Sequence, residues 1–367
     1  LIAASAVAVG GQRGLHALED WLNDSRGSSQ GGFDPFSVYT RIGVPGEVNL
    51  SPEIVWRIQP PPGVAPPRLL RTASYNTYRT SSWAIEPSAA GRVFTDLSSR
   101  IFEQLPYFIT TPEADEATQL RSVSPDLPRF TLRGGADEET PLPLPGDAAS
   151  LKGFELDGIE GNAMGTIRIF PKHSVVEGTV LWKSLTNPES PPSDEDLYIP
   201  KLERDAVRKS LRDVQLDPEV IDRLPNAERP TLREKLAAIQ AWMQREFSYS
   251  RQLGISSSTH VSTSPTAITQ FLRTERRGHC EYFASATVLM LRDAGIPARY
   301  AIGYATMERD VKRGEFIIRG THGHAWCRVW DETTNAWIDF DTTPSVWSAT
   351  VPPPASLTQR FNDWLQL

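Results

Sequence analysis

The spacing of apolar and polar residues changes part-way along this chain. From about Ser37 to Lys183 the apolar positions come in short runs: "EIVWRIQ", "RLLRTASYNTY", "RFTLR", "GTIRIFP" and "VVEGTVLW". These are rich in β-branched and aromatic residues and are broken by Gly/Pro turns, a pattern that predicts the strands of a sandwich or barrel. After the acidic, Pro-rich "NPESPPSDED" the period becomes helical. In "PTLREKLAAIQAWMQREFSY", Leu232, Leu236, Ile239 and Met243 recur on one face behind Pro230. "TSPTAITQFLR" predicts a second helix with Ser264 as its cap and Pro265 at the first helical position. "CEYFASATVLMLRDAG" predicts a third, stopped by Gly295. Four strand-like runs follow: "ARYAIGYA", "EFIIRG", "HAWCRVW" and "AWIDFD".

The expected fold class is α+β, with an N-terminal all-β (sandwich- or barrel-like) domain followed by an α+β domain. The expected organisation is a short helix around "ALEDWL" and a flexible linker over 1–36, a β-rich domain over 37–186, a Pro-rich acidic linker over 187–199, the α+β domain over 200–347 and a tail over 348–367. No internal repeat is visible.

Composition narrows the function classes. The length of 367 residues suits two domains, and 39% hydrophobic with 23% charged residues is the balance of a globular protein. A net charge of -7 without a basic stripe argues against nucleic acid as a partner. The 30 prolines gather in "PPPGVAPP", "PLPLPG", "ESPPSDED" and "VPPP", which read as surface linkers and rigid turns. "LIAASAVAVG" at the start is too short to span a bilayer, and no complete transmembrane helix is present in the sequence. It reads equally as a soluble helix, the end of a signal segment or the trimmed end of a membrane span. Two cysteines, Cys280 and Cys327, make no disulfide scaffold, and their pairing is not decided by sequence.

Cys280 carries the chemical interest. It heads the third helix, on the side of Phe283, Ala284, Thr287, Met290, Leu291 and Ala294, with Glu281, Ser285 and Arg292 opposite. Unpaired N–H groups and the helix dipole favour a thiolate at such a position. Gly278 permits the tight turn before it. On its own, the position fits a structural cysteine equally well.

"THGHAWCRVWDETTNAWIDFDTTP" reads as a hairpin. Alternation puts His324, Trp326, Arg328 and Trp330 on one face and Cys327 on the other. An even loop centred on Thr333–Thr334 sets Arg328 opposite Asp339 and Trp326 opposite Asp341. Asp341 then falls diagonally beside His324. A thiol needs a base, and the base needs an acceptor that fixes its tautomer and charge. Cys280, His324 and Asp341 can fill these roles in that order.

At these residues the sequence resembles the transglutaminase-like superfamily, a branch of the papain-like thiol enzymes. The resemblance runs through "GHCEYFASA", "LRDAGIPARYAIGY", "HAW" and "WIDFDTTP", from about Pro265 to Pro344. It implies a papain/transglutaminase-like catalytic domain with Cys280 as nucleophile, His324 as base and Asp341 as orienting acid. The usual Asp-Pro-Thr of the third block is here Asp341-Thr342-Thr343. A weaker similarity, through Arg71, Tyr75, Tyr78 and Trp83, is to bacterial membrane-anchored transglutaminase-like proteins. That similarity implies a periplasmic, extracytoplasmic part of an inner-membrane protein, anchored through segments outside this chain.

Among the neighbours, His322 is a rival base. "HGH" with Cys280 also suggests zinc, but a third strong ligand at metal-site spacing is missing, and no calcium-type "DxDxDG" loop occurs. No metal or organic cofactor is therefore expected. His279 reads as lining the cleft or facing solvent, and Trp326 as a cleft wall or core aromatic. Tyr249 is a candidate oxyanion donor beside the Cys280 N–H, or else packs beneath the loop.

The resemblance implies acyl transfer from a protein or peptide glutamine/amide carbonyl to an amine. The alternatives are a cysteine peptidase or amidase with water as acceptor, and a non-enzymatic envelope-binding module with a relic triad.

Overall fold

The structure, a computed structural model, describes residues 39–41, 51–79, 81–85, 94–97, 127–183, 189–251 and 265–350. The expected helix over "ALEDWL", the linker after it, Ser264 and the tail beyond 350 lie outside the described residues.

Two sheets share the first apolar core. The larger runs in the order β16 (Glu308–Asp310), β17 (Glu315–Arg319), β2 (Ile54–Gln59), β7 (Arg129–Gly135), β12 (Val175–Leu181), β9 (Ser150–Lys152). The smaller runs β6 (Thr95–Asp96), β10 (Leu156–Gly161), β11 (Ile167–Pro171), β8 (Thr140–Pro141). Ile58, Phe130, Leu132 and Val180 of the larger sheet pack with Ile159, Ile167 and Ile169 of the smaller. This layering is the sandwich that the alternating runs predict. β10 escapes the pattern because "LDGIEG" has only two apolar side chains to alternate.

The second core is built around a helix. Among the described residues of the C-terminal half lie five α-helices: α1 (Lys201–Asp213), α2 (Pro218–Ile221), α3 (Leu232–Glu246), α4 (Ala267–Gln270) and α5 (Cys280–Asp293). α3 starts where Pro230 suggests, with a reciprocal capping box in which the Thr231 N–H donates to Glu234 (2.8 Å) and the Glu234 N–H donates back to Thr231 Oγ1 (3.3 Å). The start of α4 corrects the sequence reading: Thr266 caps it, accepting from the Thr269 N–H at 3.2 Å, so Pro265 precedes the helix instead of opening it.

α5 packs on the sheet β19 (Ala336–Phe340), β18 (Gly323–Asp331), β15 (Ala298–Ala305), β3 (Leu69–Tyr75). The helix is enclosed on all sides, so the two-faced reading of it fails. Ser285 and Arg292, expected to face outward, are buried. Arg292 donates to the carbonyls of Ala298, Tyr198 and Asn76, and Ser285 Oγ accepts from Trp83 Nε1 at 2.9 Å. α5 ends as Gly295 suggests: at φ +75° this glycine lets its own N–H reach the Arg292 carbonyl and the Ile296 N–H reach that of Leu291.

Strands cross the expected division of the chain. β3, from the N-terminal region, is an edge of the α5 sheet, while β16 and β17, from the C-terminal region, extend the large sandwich sheet along β2. At the β3–β15 bulge a side chain on Gly303 would overlap the Leu70 carbonyl, which keeps this position a glycine. The Arg71/Tyr75/Tyr78/Trp83 run is buried along this seam. β5 (Ser82–Ala84) pairs with β4 (Thr77–Arg79) on one side and β1 (Tyr39–Arg41) on the other, and Trp83 stacks on Tyr300 at 5.3 Å between centroids.

The acidic Pro-rich stretch is not a surface linker throughout. Glu189 meets Arg71, Arg299 and Arg328, Asp196 meets Arg299, and both carboxylates are buried.

Candidate active site

The β18–β19 hairpin has the even register, centred on Thr333–Thr334 with Arg328 opposite Asp339. It brings His324 Nε2 to 2.8 Å from Asp341 Oδ2. The other oxygen of Asp341 accepts the Thr343 N–H at 2.9 Å. Thr342, where the resembled motif has proline, is buried and shares a 2.7 Å hydroxyl–hydroxyl hydrogen bond with Thr287 of α5. Thr287 lies two turns below Cys280, so the segment bearing Asp341 is tied to the helix that bears the thiol. Gln240 of α3 reaches the Asp341 carbonyl at 3.5 Å.

His324 is fully enclosed. Trp347, in the short 3₁₀ turn after β19, stacks on the imidazole at 4.1 Å with planes 5° apart, and Trp326 lies at 6.2 Å. Burial alone would lower the ring's pKa. The Asp341 carboxylate and, beyond it, the Cys280 thiol outweigh burial and push it up to about 10. Burial likewise works against the Asp341 carboxylate, yet His324 and the Thr343 N–H hold it below the usual carboxylate range. Nε2 is committed to Asp341, and the second ring nitrogen, Nδ1, is buried with no hydrogen-bond partner among the described residues.

Cys280 occupies the first position of α5 after His279, and its residue remains partly accessible, whereas Cys327, within β18, is buried. Gly278 serves by size and not, as the sequence reading has it, by conformation. Its φ is not positive, but a Cβ there would sit 3.0 Å from Tyr282 and 3.2 Å from Phe271. The left-handed residue is Arg276, at φ 51°. β13 (Ser248–Tyr249) pairs in parallel with β14 (Arg277–Gly278), setting Tyr249 beside Gly278. Burial first, and the nearby Cys280 charge second, raise the Tyr249 phenol above its ordinary value.

Other neighbours fall differently. His279 is buried, edge-on to Tyr282 at 5.0 Å, and burial drives its pKa down to about 4, so it does not face solvent. His322 sits in the turn before β18. Its Nδ1 accepts the Arg319 N–H at 3.2 Å and its Nε2 lies 3.7 Å from Glu308, so its ring is engaged away from the thiol. Trp326 is a buried aromatic whose Nε1 donates to Asp339 at 2.7 Å, beside the 2.8 Å Arg328–Asp339 pair.

Trp347 and Thr287 are the neighbours that sequence reasoning missed. Trp347 falls beyond the last periodic run, and Thr287 looks like any small residue of a core helix. The departure at Thr342 was the available signal.

Residues 219–342 match the profile of the transglutaminase-like superfamily, and this part of the chain is a transglutaminase-like domain. Seventy residues are 40% identical to the uncharacterized protein ML0607 of Mycobacterium leprae, covering 19% of this chain and 23% of that protein. Another match is 32% identical over 85 residues to a protein-glutamine gamma-glutamyltransferase of Pseudomonas aeruginosa, covering 23% of this chain and 13% of that protein. The chain thus matches less than a quarter of the length of these curated relatives. The crystal structure of the periplasmic domain of TgpA from Pseudomonas aeruginosa bound to ethylmercury is similar in fold, with a TM-score of 0.54 at 18% identity. The alignment covers 80% of this chain and 90% of that one, so the likeness takes in the β-rich N-terminal region as well. Among the described residues no helix is long and apolar enough to cross a membrane.

Proposed function

We propose that this chain is a transglutaminase-like thiol acyltransferase in which Cys280 is the nucleophile, His324 the base and Asp341 the residue that orients and charges the imidazole. The observation that carries this reading is His324 held at 2.8 Å by Asp341, with its second ring nitrogen buried and without a hydrogen-bond partner among the described residues. The sulfur gives its proton to Nδ1 and attacks a glutamine or other amide carbonyl. The imidazolium then protonates the departing amine, leaving a thioester. A second amine attacks the thioester and restores the thiol. The Cys280 N–H, at the open end of α5, supports an oxyanion donor role, and Tyr249 is proposed as the second donor. The fold shared with a periplasmic domain supports an extracytoplasmic location, with membrane anchoring through segments outside this chain.

The test is incubation with a glutamine-containing peptide and a fluorescent primary amine. Incorporation of the amine with release of ammonia is the expected result. Cys280→Ala should lower it by about 10⁴-fold or more. Ammonia release without incorporation would replace acyl transfer by hydrolysis through the same residues.

A further inference from the structure

A cavity lies on the sandwich, away from the thiol. It encloses about 440 Å³ between β12, from Val175 to Thr179, and the chain around Lys152, Glu155 and His173. Strand pairing shows why this place is open. β7 pairs with the whole of β12, from Val175 to Leu181, whereas β9 pairs only with Thr179, Val180 and Leu181. β9 stops where Gly153, at φ +78°, turns the chain away. Phe154 then packs into the sandwich core against Gly178, where a side chain would overlap its ring. The Glu155 carbonyl accepts the Lys172 N–H at 3.2 Å, on the side of the smaller sheet. Beside Val175–Gly178, β12 therefore has no second strand among the described residues.

Alternation decides which main-chain groups face that gap. The Ser174 carbonyl accepts the Ala136 N–H at 3.0 Å, and the Trp182 N–H donates to the Pro128 carbonyl at 3.1 Å. Even-numbered residues thus turn towards β7. The Leu181 carbonyl accepts the Ala149 N–H at 2.8 Å, on the side of β9. The N–H and C=O groups of Val175 and Glu177 therefore point into the open edge. Such a row of donors and acceptors is matched by another extended main chain. The Val175 residue is 54% exposed, and proteins usually cover or blunt an edge of this kind. Charge narrows the guest further. Glu155 has His173 at 3.1 Å and Glu177 has Arg133 at 3.9 Å, but no carboxylate pairs with Lys152 among the described residues.

We propose that this cavity docks an extended peptide segment of about four residues, added to the larger sheet beside β12 with an acidic side chain at Lys152. Hydrogen bonds to the Val175 and Glu177 main chain hold the segment in place, and Lys152 sets its sequence preference. The proposal does not depend on the chemistry at Cys280.

The probe is a fluorescent, acetylated Thr-Val-Asp-Val-Thr peptide titrated with the whole chain, beside its Thr-Val-Lys-Val-Thr counterpart. Saturable binding of the acidic peptide is expected, about tenfold tighter than that of the basic one. On binding, the Val175 and Glu177 amides should exchange hydrogen about tenfold more slowly. Glu177→Pro removes an N–H that the β7 ladder does not use, so the variant should fold and bind the peptide about tenfold more weakly. Should it fail to fold, the acidic peptide N-methylated at alternate residues takes its place and should lose affinity by as much. No saturable binding of the acidic peptide overturns the proposal, as does binding indifferent to these changes. Protection of the two amides by rising protein concentration alone would also overturn it, by giving the edge to a second copy of the chain.

Discussion

Asp341 uses both carboxylate oxygens, one on His324 and one on the Thr343 N–H, and this fixes the sign of a pH effect. His324 is raised from 6.5 to about 10, so the stability it gains from Asp341 is complete below pH 6.5 and is lost as pH rises towards 10. Asp341 is lowered from 3.8, so its share is present above pH 3.8 and is lost on acidification. Asp341→Asn should therefore cost most between those two pH values, and its melting curve should approach the wild type's from pH 6.5 to 10. A gap that stays constant across that range would mean the imidazole is not charged. Activity should fall by about 10²- to 10⁴-fold in the same variant. The His324–Asp341 pair was legible in the sequence because a hairpin register is local and follows from alternation and an even loop. The Trp347 stack was not, since no periodicity extends into a 3₁₀ turn.

Among the elements, α5 and the β18–β19 hairpin are joined by the Thr287–Thr342 hydrogen bond at 2.7 Å. Thr342→Val keeps the shape and orphans a buried hydroxyl, with an expected cost of about 1–3 kcal/mol in chemical denaturation. Adding Thr287→Val should cost less than the sum of the two single changes, because both ends of the bond are then removed together. Strict additivity would show that the two hydroxyls are not coupled. Most strands and the longer apolar helices could be read from their runs, since each buries a face that its own pattern announces. The partner of β3 could not. Pairing between Leu69–Tyr75 and Ala298–Ala305 is set by tertiary contacts more than two hundred residues apart, and no local pattern encodes it. The same holds for α1, which turns only Ala206, Val207 and Leu211 as apolar side chains into the core.

At the scale of the molecule, three arginines and three carboxylates interlock between the two halves: Arg71, Arg299 and Arg328 with Glu189, Asp196 and Asp339. Glu189 is central. Burial opposes its charge, but Arg328, Arg71 and Arg299 hold its pKa below the usual range. Removing one member of such a cluster leaves buried charge uncompensated, so Glu189→Ala should destabilise by about 3–5 kcal/mol. Residues 200–350 expressed alone would lack β3 and Glu189 and leave β16 and β17 without β2. They should give no cooperative thermal transition, and a sharp one would contradict the interlock. Composition announced two halves but hid the cluster, because charged residues in a Pro-rich stretch look solvated until their partners are known.

The exchange of strands between the halves also bears on how such a protein is inherited. A gene fusion or recombination event that carried over only the thiol-bearing half would separate β3 from its sheet and strip β16 and β17 from theirs, exposing raw edges on both products. Lineages are thus expected to transmit the β-rich region and the thiol-bearing region together, as one heritable block, even where their sequences drift at different speeds.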